Sequence, residues 1–271
     1  MHTVVAIDVR SFNRPLPAKS SHSGASYNNC MKQCALCLKN KKLCRSHIIS
    51  EFMYSSLYDD KNHFNVLTTI DDRNCWSAQK GIWEWLLCSD CENQFSKYEH
   101  YMSLLMNGTP PLNVKKNGQF ITLEGINYSS FKLFQLSILW RAGVSKDGLF
   151  SNVSLGRHSE SIRLMLLNED PGEPQDYPAL LFPIIHEDKP LTDLIVQPSA
   201  IRLKSGHNGY RFTFGGIIWA FIISKHKMPS ELLECSLNKS GRMILREKPI
   251  AEIDFITEFS KKLGAQNKLP A

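Results

Sequence analysis

The chain has 271 residues, 42% of them hydrophobic and 21% charged, with a net charge of +6. That length and apolar content are enough to bury a core without disulfide staples, and the composition excludes a disordered or low-complexity chain. The longest apolar run, GGIIWAFIIS at 215–224, falls well short of the roughly 20 residues of a membrane span, so no membrane partner is expected.

Residues 1–29 begin MHTVVAIDVRSFNRP, without the basic end and long apolar run of a secretory signal, and continue through NRPLPAKSSHSGASYNN. Their Pro, Ser, Gly and Asn content predicts a loose basic arm outside the core. The reading without a signal is a cytoplasmic, reducing location, where paired cysteines hold metal more often than they form disulfides. The charge is uneven, because residues 1–50 carry eight Lys or Arg against one acid, Asp8, which leaves the remainder close to neutral. A basic segment around a cysteine cluster suits a polyanion such as nucleic acid, and Lys39, Lys41, Lys42 and Arg45 are its candidate contacts. The alternative for these charges is a solvated surface loop.

Residues 30–108 form the second segment and hold seven of the eight cysteines. Within CALCLKNKKLCRSHIISEF, residues 34–52, Cys34 and Cys37 make one CxxC, and Cys88 and Cys91 make another in LLCSDCEN. A CxxC turn lets two thiolates point at one ion while backbone amides face the sulfurs, and two such turns complete a tetrahedral structural zinc site. A competing set, Cys34, Cys37, Cys44 and His47, would leave Cys88 and Cys91 as orphans. With the two-CxxC site, Cys30, Cys44, Cys75 and Cys235 are ordinary thiols. HIISEFMYSSLY reads as a short strand passing into a helix. CENQFSKYEHYMSLLMNG has apolar or aromatic residues at Phe95, Tyr98, Met102 and Leu105, a helical period that Gly108, Pro110 and Pro111 bring to an end.

The order CxxC, SHII, an insert, then LLCSDCEN opening a helix resembles the HNH, or His-Me finger, nucleases of the zinc-bound treble-clef type, over roughly residues 34–100. The resemblance implies a DNA endonuclease in which His47 is the general base that activates water, while Glu92 and Asn93 fall where the family carries its metal-binding helix residue. It also implies one catalytic Mg2+ or Mn2+ beside the structural Zn2+, and a setting such as bacterial restriction or phage defence. Imidazole suits the base because it accepts a proton near neutral pH. The sequence departs from the family pattern at Ser46, where Asp is common, at Ser50, where Pro is usual, and at Glu92, where His is common. Asn62, His63 and Asn65 are candidates for the middle Asn of the motif, and Glu51, Glu84 and Glu99 for further metal ligands.

Residues 109–271 read as an α+β domain with a mainly antiparallel sheet, suited to recognising a target or a protein partner. A strand is expected in GQFITLEGI. SSFKLFQLSILWRAG is apolar almost all round and predicts a buried helix capped by Gly143, with Trp140 explained by packing and Arg141 as a helix-end charge. SESIRLMLLNED predicts a second helix. Strands follow in YPALLFPIIHE, DLIVQPSAIRLKSG, GYRFTFGGIIWAFIIS and RMILREKPI, with Asn208-Gly209 as a hairpin turn, and IDFITEFSKKLG predicts an amphipathic final helix. The alternative to a nuclease is a zinc module that binds nucleic acid or protein and cuts nothing.

Overall fold

A computed structural model describes residues 4–7, 31–69, 74–224 and 226–268. Strand β1 is Val4–Ile7, followed by the short β2 (Lys32–Gln33) and β3 (Asn40–Lys41), then β4 (Leu43–His47) and a 3-10 helix at Glu51–Leu57. Next come β5 (His63–Thr68), β6 (Trp76–Gln79), β7 (Trp83–Cys88) and helix α1 (Ser89–Met106). A hairpin of β8 (Asn113–Asn117) and β9 (Phe120–Glu124) leads to α2 (Tyr128–Val144) and α3 (His158–Leu167). The remainder is β10 (Ala179–His186), β11 (Lys189–Pro190), β12 (Leu194–Arg202), β13 (Asn208–Phe214), β14 (Ile217–Ile222), α4 (Ser230–Cys235), β15 (Met243–Arg246), β16 (Lys248–Pro249) and α5 (Asp254–Ala265). The fold is α+β with a mainly antiparallel sheet, as expected. No helix among the described residues is long and apolar enough to cross a membrane.

The large sheet runs β11-β10-β14-β13-β12-β1-β5-β6, with β16 added beside β10. It takes strands from both sides of the Gly108 boundary, so the cysteine-rich segment and the C-terminal segment share one sheet. β1 lies parallel between β5 and β12, which places Val4–Ile7 in the sheet rather than in the expected arm. The other residues of that arm, and Cys30, lie outside the described residues.

Alternation along the strands sorts the core into two faces. Trp219 and Phe221 on β14 face α2, with Trp219 stacked on Phe131 at 6.1 Å between ring centroids, while Ile218, Ala220 and Ile222 face the opposite side. There α5 covers the sheet through Ile256, Phe259 and Leu263, the amphipathic face that its spacing predicts. α2 is buried from Phe131 to Ala142 because the sheet, α1 and α3 enclose it. Two turn expectations are corrected. Gly143 lies within α2, where an added Cβ would meet Leu155 at 2.4 Å, and the helix ends instead at Ser145. Asn208 and Gly209 lie inside β13, and the β12–β13 turn is made around Gly206, whose φ of +83° suits glycine alone.

A titratable group is enclosed with this core. Lys132 on α2 is 1% exposed, its Nζ donating to the Tyr177 carbonyl at 3.0 Å, and burial lowers its pKa to about 7 against the pull of Asp176. Above that value the unfolded chain, with an ordinary lysine, holds a proton that the folded chain has lost. Stability contributed through this group therefore rises with pH from about 7 to about 10.4, by on the order of several kcal/mol. Below about pH 7 both states are protonated and the slope vanishes. Lys132→Met is expected to be more stable than the wild type near pH 7, with the gap closing toward pH 10 in urea titrations. A gap independent of pH would show that Lys132 keeps an ordinary pKa.

Candidate functional site

The four cysteines of the two CxxC pairs converge. Cys34, Cys37, Cys88 and Cys91 place their sulfurs within 4.8 Å of one another, with Cys34–Cys91 at 3.7 Å, Cys37–Cys88 at 3.9 Å and Cys88–Cys91 at 3.6 Å. Four sulfurs about 2.3 Å from one tetrahedral ion lie about 3.8 Å apart, so the spacing fits a metal ion such as zinc. The local chain explains the convergence. The first knuckle is a turn closed by Leu38 N–H to the Cys34 carbonyl and by Cys34 N–H to the Lys39 carbonyl, with Leu38 at a φ of +59°. The second knuckle is the junction of β7 and α1, where Cys88 is the N-cap and its backbone N–H faces the Cys34 sulfur at 3.3 Å. Burial pushes the Cys34 and Cys91 thiols up, and a central cation would relieve that penalty on their thiolates. Cys44 is not in the cluster and His47 turns to Glu51, so the geometry selects the two-CxxC set over its competitor.

The knuckles brace an antiparallel pair, β4 with β7, that continues directly into α1. Arg45 lies opposite Trp85, Ser46 opposite Glu84 and His47 opposite Trp83. Cross-strand partners share a face and neighbours along a strand alternate, so Arg45, His47, Trp83 and Trp85 line one face while Ser46 and Glu84 line the other.

On the first face, His47 Nε2 lies 2.8 Å from Glu51 Oε2. Glu51 is exposed and also receives the Tyr58 hydroxyl and the Gly81 N–H. Partial desolvation opposes its charge, but His47, Tyr58 and Gly81 together hold the carboxyl below its ordinary range. On the second face, the buried Ser46 hydroxyl donates to Glu92 Oε1 and accepts from Leu87 N–H at 3.0 Å. Burial raises the Glu92 pKa against the opposing influence of Ser46, Arg141 and His47, and Glu99 adds to the rise. Glu99, two helical turns on, takes the Ser50 hydroxyl at 2.8 Å and the Arg141 guanidinium at 2.8 Å.

Arg141 stands in the last turn of α2, the helix end expected of it, but sequence reasoning missed its partners. It is 1% exposed and donates to the His47 carbonyl at 2.6 Å while it pairs with Glu99. It is both a helix-end charge and a buried cation of the site. The available signal was an arginine inside a helix that is apolar all round, since a buried charge needs a partner.

The structure thus brings His47 to Glu51 and brings Glu92 to Ser46, on opposite faces of the β4–β7 pair, with Arg141 bridging between the His47 backbone and Glu99. Asn93, turned about 100° from Glu92 on the helix, is exposed. His63 and Asn65 pair with Gln79 and Ser77 in the β5–β6 ladder, and Asn62 closes the loop before it through its N–H to the Asp59 carbonyl, so none of the three joins His47. Glu84 accepts from the Ser145 hydroxyl and from the Lys146 and Asp147 amides, which ties β7 to the end of α2. Of the four basic candidates Lys39, Lys42 and Arg45 are exposed, whereas Lys41 is paired with Asp90 at 2.5 Å. Arg45 stands over Trp83 and Trp85, 4.7 and 5.6 Å from their ring centroids. Comparison with protein-family models, curated proteins and solved structures finds no match to this chain.

Proposed function

We propose that the chain is an HNH-type endonuclease that hydrolyses DNA phosphodiester bonds, with zinc in the four-cysteine site as a structural ion. The observation that carries this reading is the His47–Glu51 pair at the end of β4, whose antiparallel partner β7 runs straight into α1. A carboxylate beside one imidazole nitrogen leaves the other nitrogen to accept a proton from water. Glu92 has one oxygen held by Ser46, and its Oε2 takes no hydrogen bond among the described residues, so it is the residue that would hold a hard cation. Such a cation, Mg2+ or Mn2+, supplies charge neutralisation at the phosphate when bound. Arg141 pairs with Glu99 and anchors the strand carbonyl of His47, which ties β4 to α1. A bacterial defence role rests on the resemblance alone.

The test is plasmid cleavage with and without magnesium or manganese, repeated on His47→Ala. A second reading, a zinc module that binds without cutting, is favoured by the placement of His47 and Glu92 on opposite faces of the β4–β7 pair, and by the engagement of Glu92 with Ser46 and of Glu99 with Arg141. Absence of cleavage by the zinc-loaded wild type with either cation would select it.

Both readings put phosphate against the basic segment. Neutralising Lys39, Lys42 and Arg45 together is expected to weaken duplex binding and to flatten its salt dependence by roughly 0.9 in log-log slope per lost phosphate contact. Lys41→Ala alone is expected to change the slope least, because Asp90 already balances that charge. An unchanged slope in the triple variant, measured by fluorescence anisotropy across salt concentrations, would mean that these charges meet only solvent.

A further inference from the structure

Arg45, Trp83 and Trp85 form a surface that the fold does not explain. Trp85 is 41% exposed, at the middle of a strand whose next residues, Leu86 to Cys88, are buried. An indole left in water contributes little to folding, whereas leucine and cysteine two and three positions on are enclosed. The two rings meet edge to face at 5.8 Å, and Arg45 lies nearer to Trp83 than to Trp85. The guanidinium therefore covers chiefly Trp83 and leaves Trp85 as the more open ring. The carboxylate on this face, Glu51, is already engaged by His47, Tyr58 and Gly81. The exposed Lys42 precedes β4 in the chain, so cationic and aromatic groups, without a free acid, are what the face presents.

We infer that this face binds unpaired nucleotides, with a base stacked on Trp85 and Arg45 against an adjoining phosphate, a proposal that rests on the nucleic-acid reading above. Charge selects a polyanion over an apolar protein surface, and an open ring selects unpaired over paired bases, because a base within a duplex already has both of its faces stacked. Stacking is indifferent to base identity, since every base has a π-face, so the surface recognises single-strandedness rather than a sequence. His47 lies two positions along the ladder from the Arg45–Trp85 pair and on the same face, roughly 7 Å away along the strand. A strand seated on Trp85 thus brings its neighbouring phosphate to the imidazole side of the β4–β7 pair, which gives the proposed cleavage a substrate class: single-stranded or locally unpaired nucleic acid.

The experiment measures anisotropy of a labelled oligothymidylate and of a mixed-sequence duplex of the same length, with zinc-loaded full-length protein and no added magnesium or manganese. The wild type is expected to prefer the single strand, with tryptophan fluorescence quenched on binding. Trp85→Ala is expected to bind the oligothymidylate about five- to 150-fold more weakly, the equivalent of roughly 1 to 3 kcal/mol for one stacked base, while duplex affinity changes little. Trp85→Phe, which keeps a smaller ring, is expected to recover most of the loss, an effect that a merely structural role would not produce. Zinc content and circular dichroism check that each variant is folded. Equal affinity for both nucleic acids, or an unaltered Trp85→Ala, overturns the proposal. Magnesium-dependent cutting of duplex by a protein with no strand preference would retain the nuclease reading and remove this one. Single-strand preference without cutting would do the reverse.

Discussion

Cys88→Ser is expected to lose the bound zinc and, with it, the folded cysteine-rich segment. The wild type should carry about one zinc per chain, since one tetrahedral site is formed by two knuckles. Cys88 is fully buried and serves three purposes at once: it ends β7, caps α1, and contributes a sulfur 3.6 Å from Cys91 and 3.9 Å from Cys37. A structural zinc ion contributes folding free energy on the order of 10 kcal/mol, comparable to the roughly 5 to 15 kcal/mol net stability of a whole domain. The loss does not stay local, because one apolar cluster runs from Cys34 through α1 and α2 to Leu245. Thermal unfolding and metal analysis should therefore report a collapse in Cys37→Ser as well as in Cys88→Ser. Cys44→Ser is the control and should keep its zinc, because Cys44 lies outside the cluster. Zinc retained by Cys88→Ser but lost by Cys44→Ser would restore the competing set that includes His47.

His47→Ala is expected to lower cleavage by about two to four orders of magnitude, the usual worth of general acid-base catalysis, while zinc, fold and DNA binding persist. The fold should survive because Arg141 bonds the His47 carbonyl, a backbone group that alanine also has, and because the imidazole is partly exposed with Glu51 as its charged partner. Removing the ring frees Glu51, which Tyr58 and Gly81 continue to hold. Glu92→Ala is expected to behave differently and to raise the magnesium requirement, since a lost oxygen ligand weakens cation binding more than it disturbs the base. Measured rates at saturating and limiting magnesium separate the two variants. Robust cutting by a zinc-loaded His47→Ala protein would falsify the proposed base.

The parts of the site that follow from spacing alone were legible in the sequence. Two CxxC pairs are local chemistry, and only two residues between the cysteines of each knuckle confine both sulfurs to one turn wherever that turn is placed. The helix over Ser89–Met106 was legible because Phe95, Tyr98 and Met102 repeat at helical intervals, and the structure buries those three. Ile256, Phe259 and Leu263 made α5 legible for the same reason. Dipeptide signals were weaker guides. Asn208-Gly209 has turn chemistry, yet Gly209 sits in β13 where an added Cβ would lie 2.1 Å from the Phe221 carbonyl oxygen. The close approach of two backbones, which pairing with β14 imposes, explains that glycine better than a turn does.

The sequence by itself determined the candidate ligands, the basic segment, the helices with a clear apolar stripe and the α+β class, since each of these depends on residues within one or two turns of chain. The tertiary structure decided how they combine. Pairing of β4 with β7 decided which face meets α1, so that Ser46 turns to Glu92 and His47 to Glu51, a matter of register in which a shift of one residue exchanges the two. Packing of α2 between the sheet and α1 buried Arg141 and obliged it to pair with Glu99, across 42 positions of chain that no local pattern spans. The same long-range pairing placed Val4–Ile7 between β5 and β12, because an edge of unpaired backbone groups accepts a strand from wherever in the chain one can reach it.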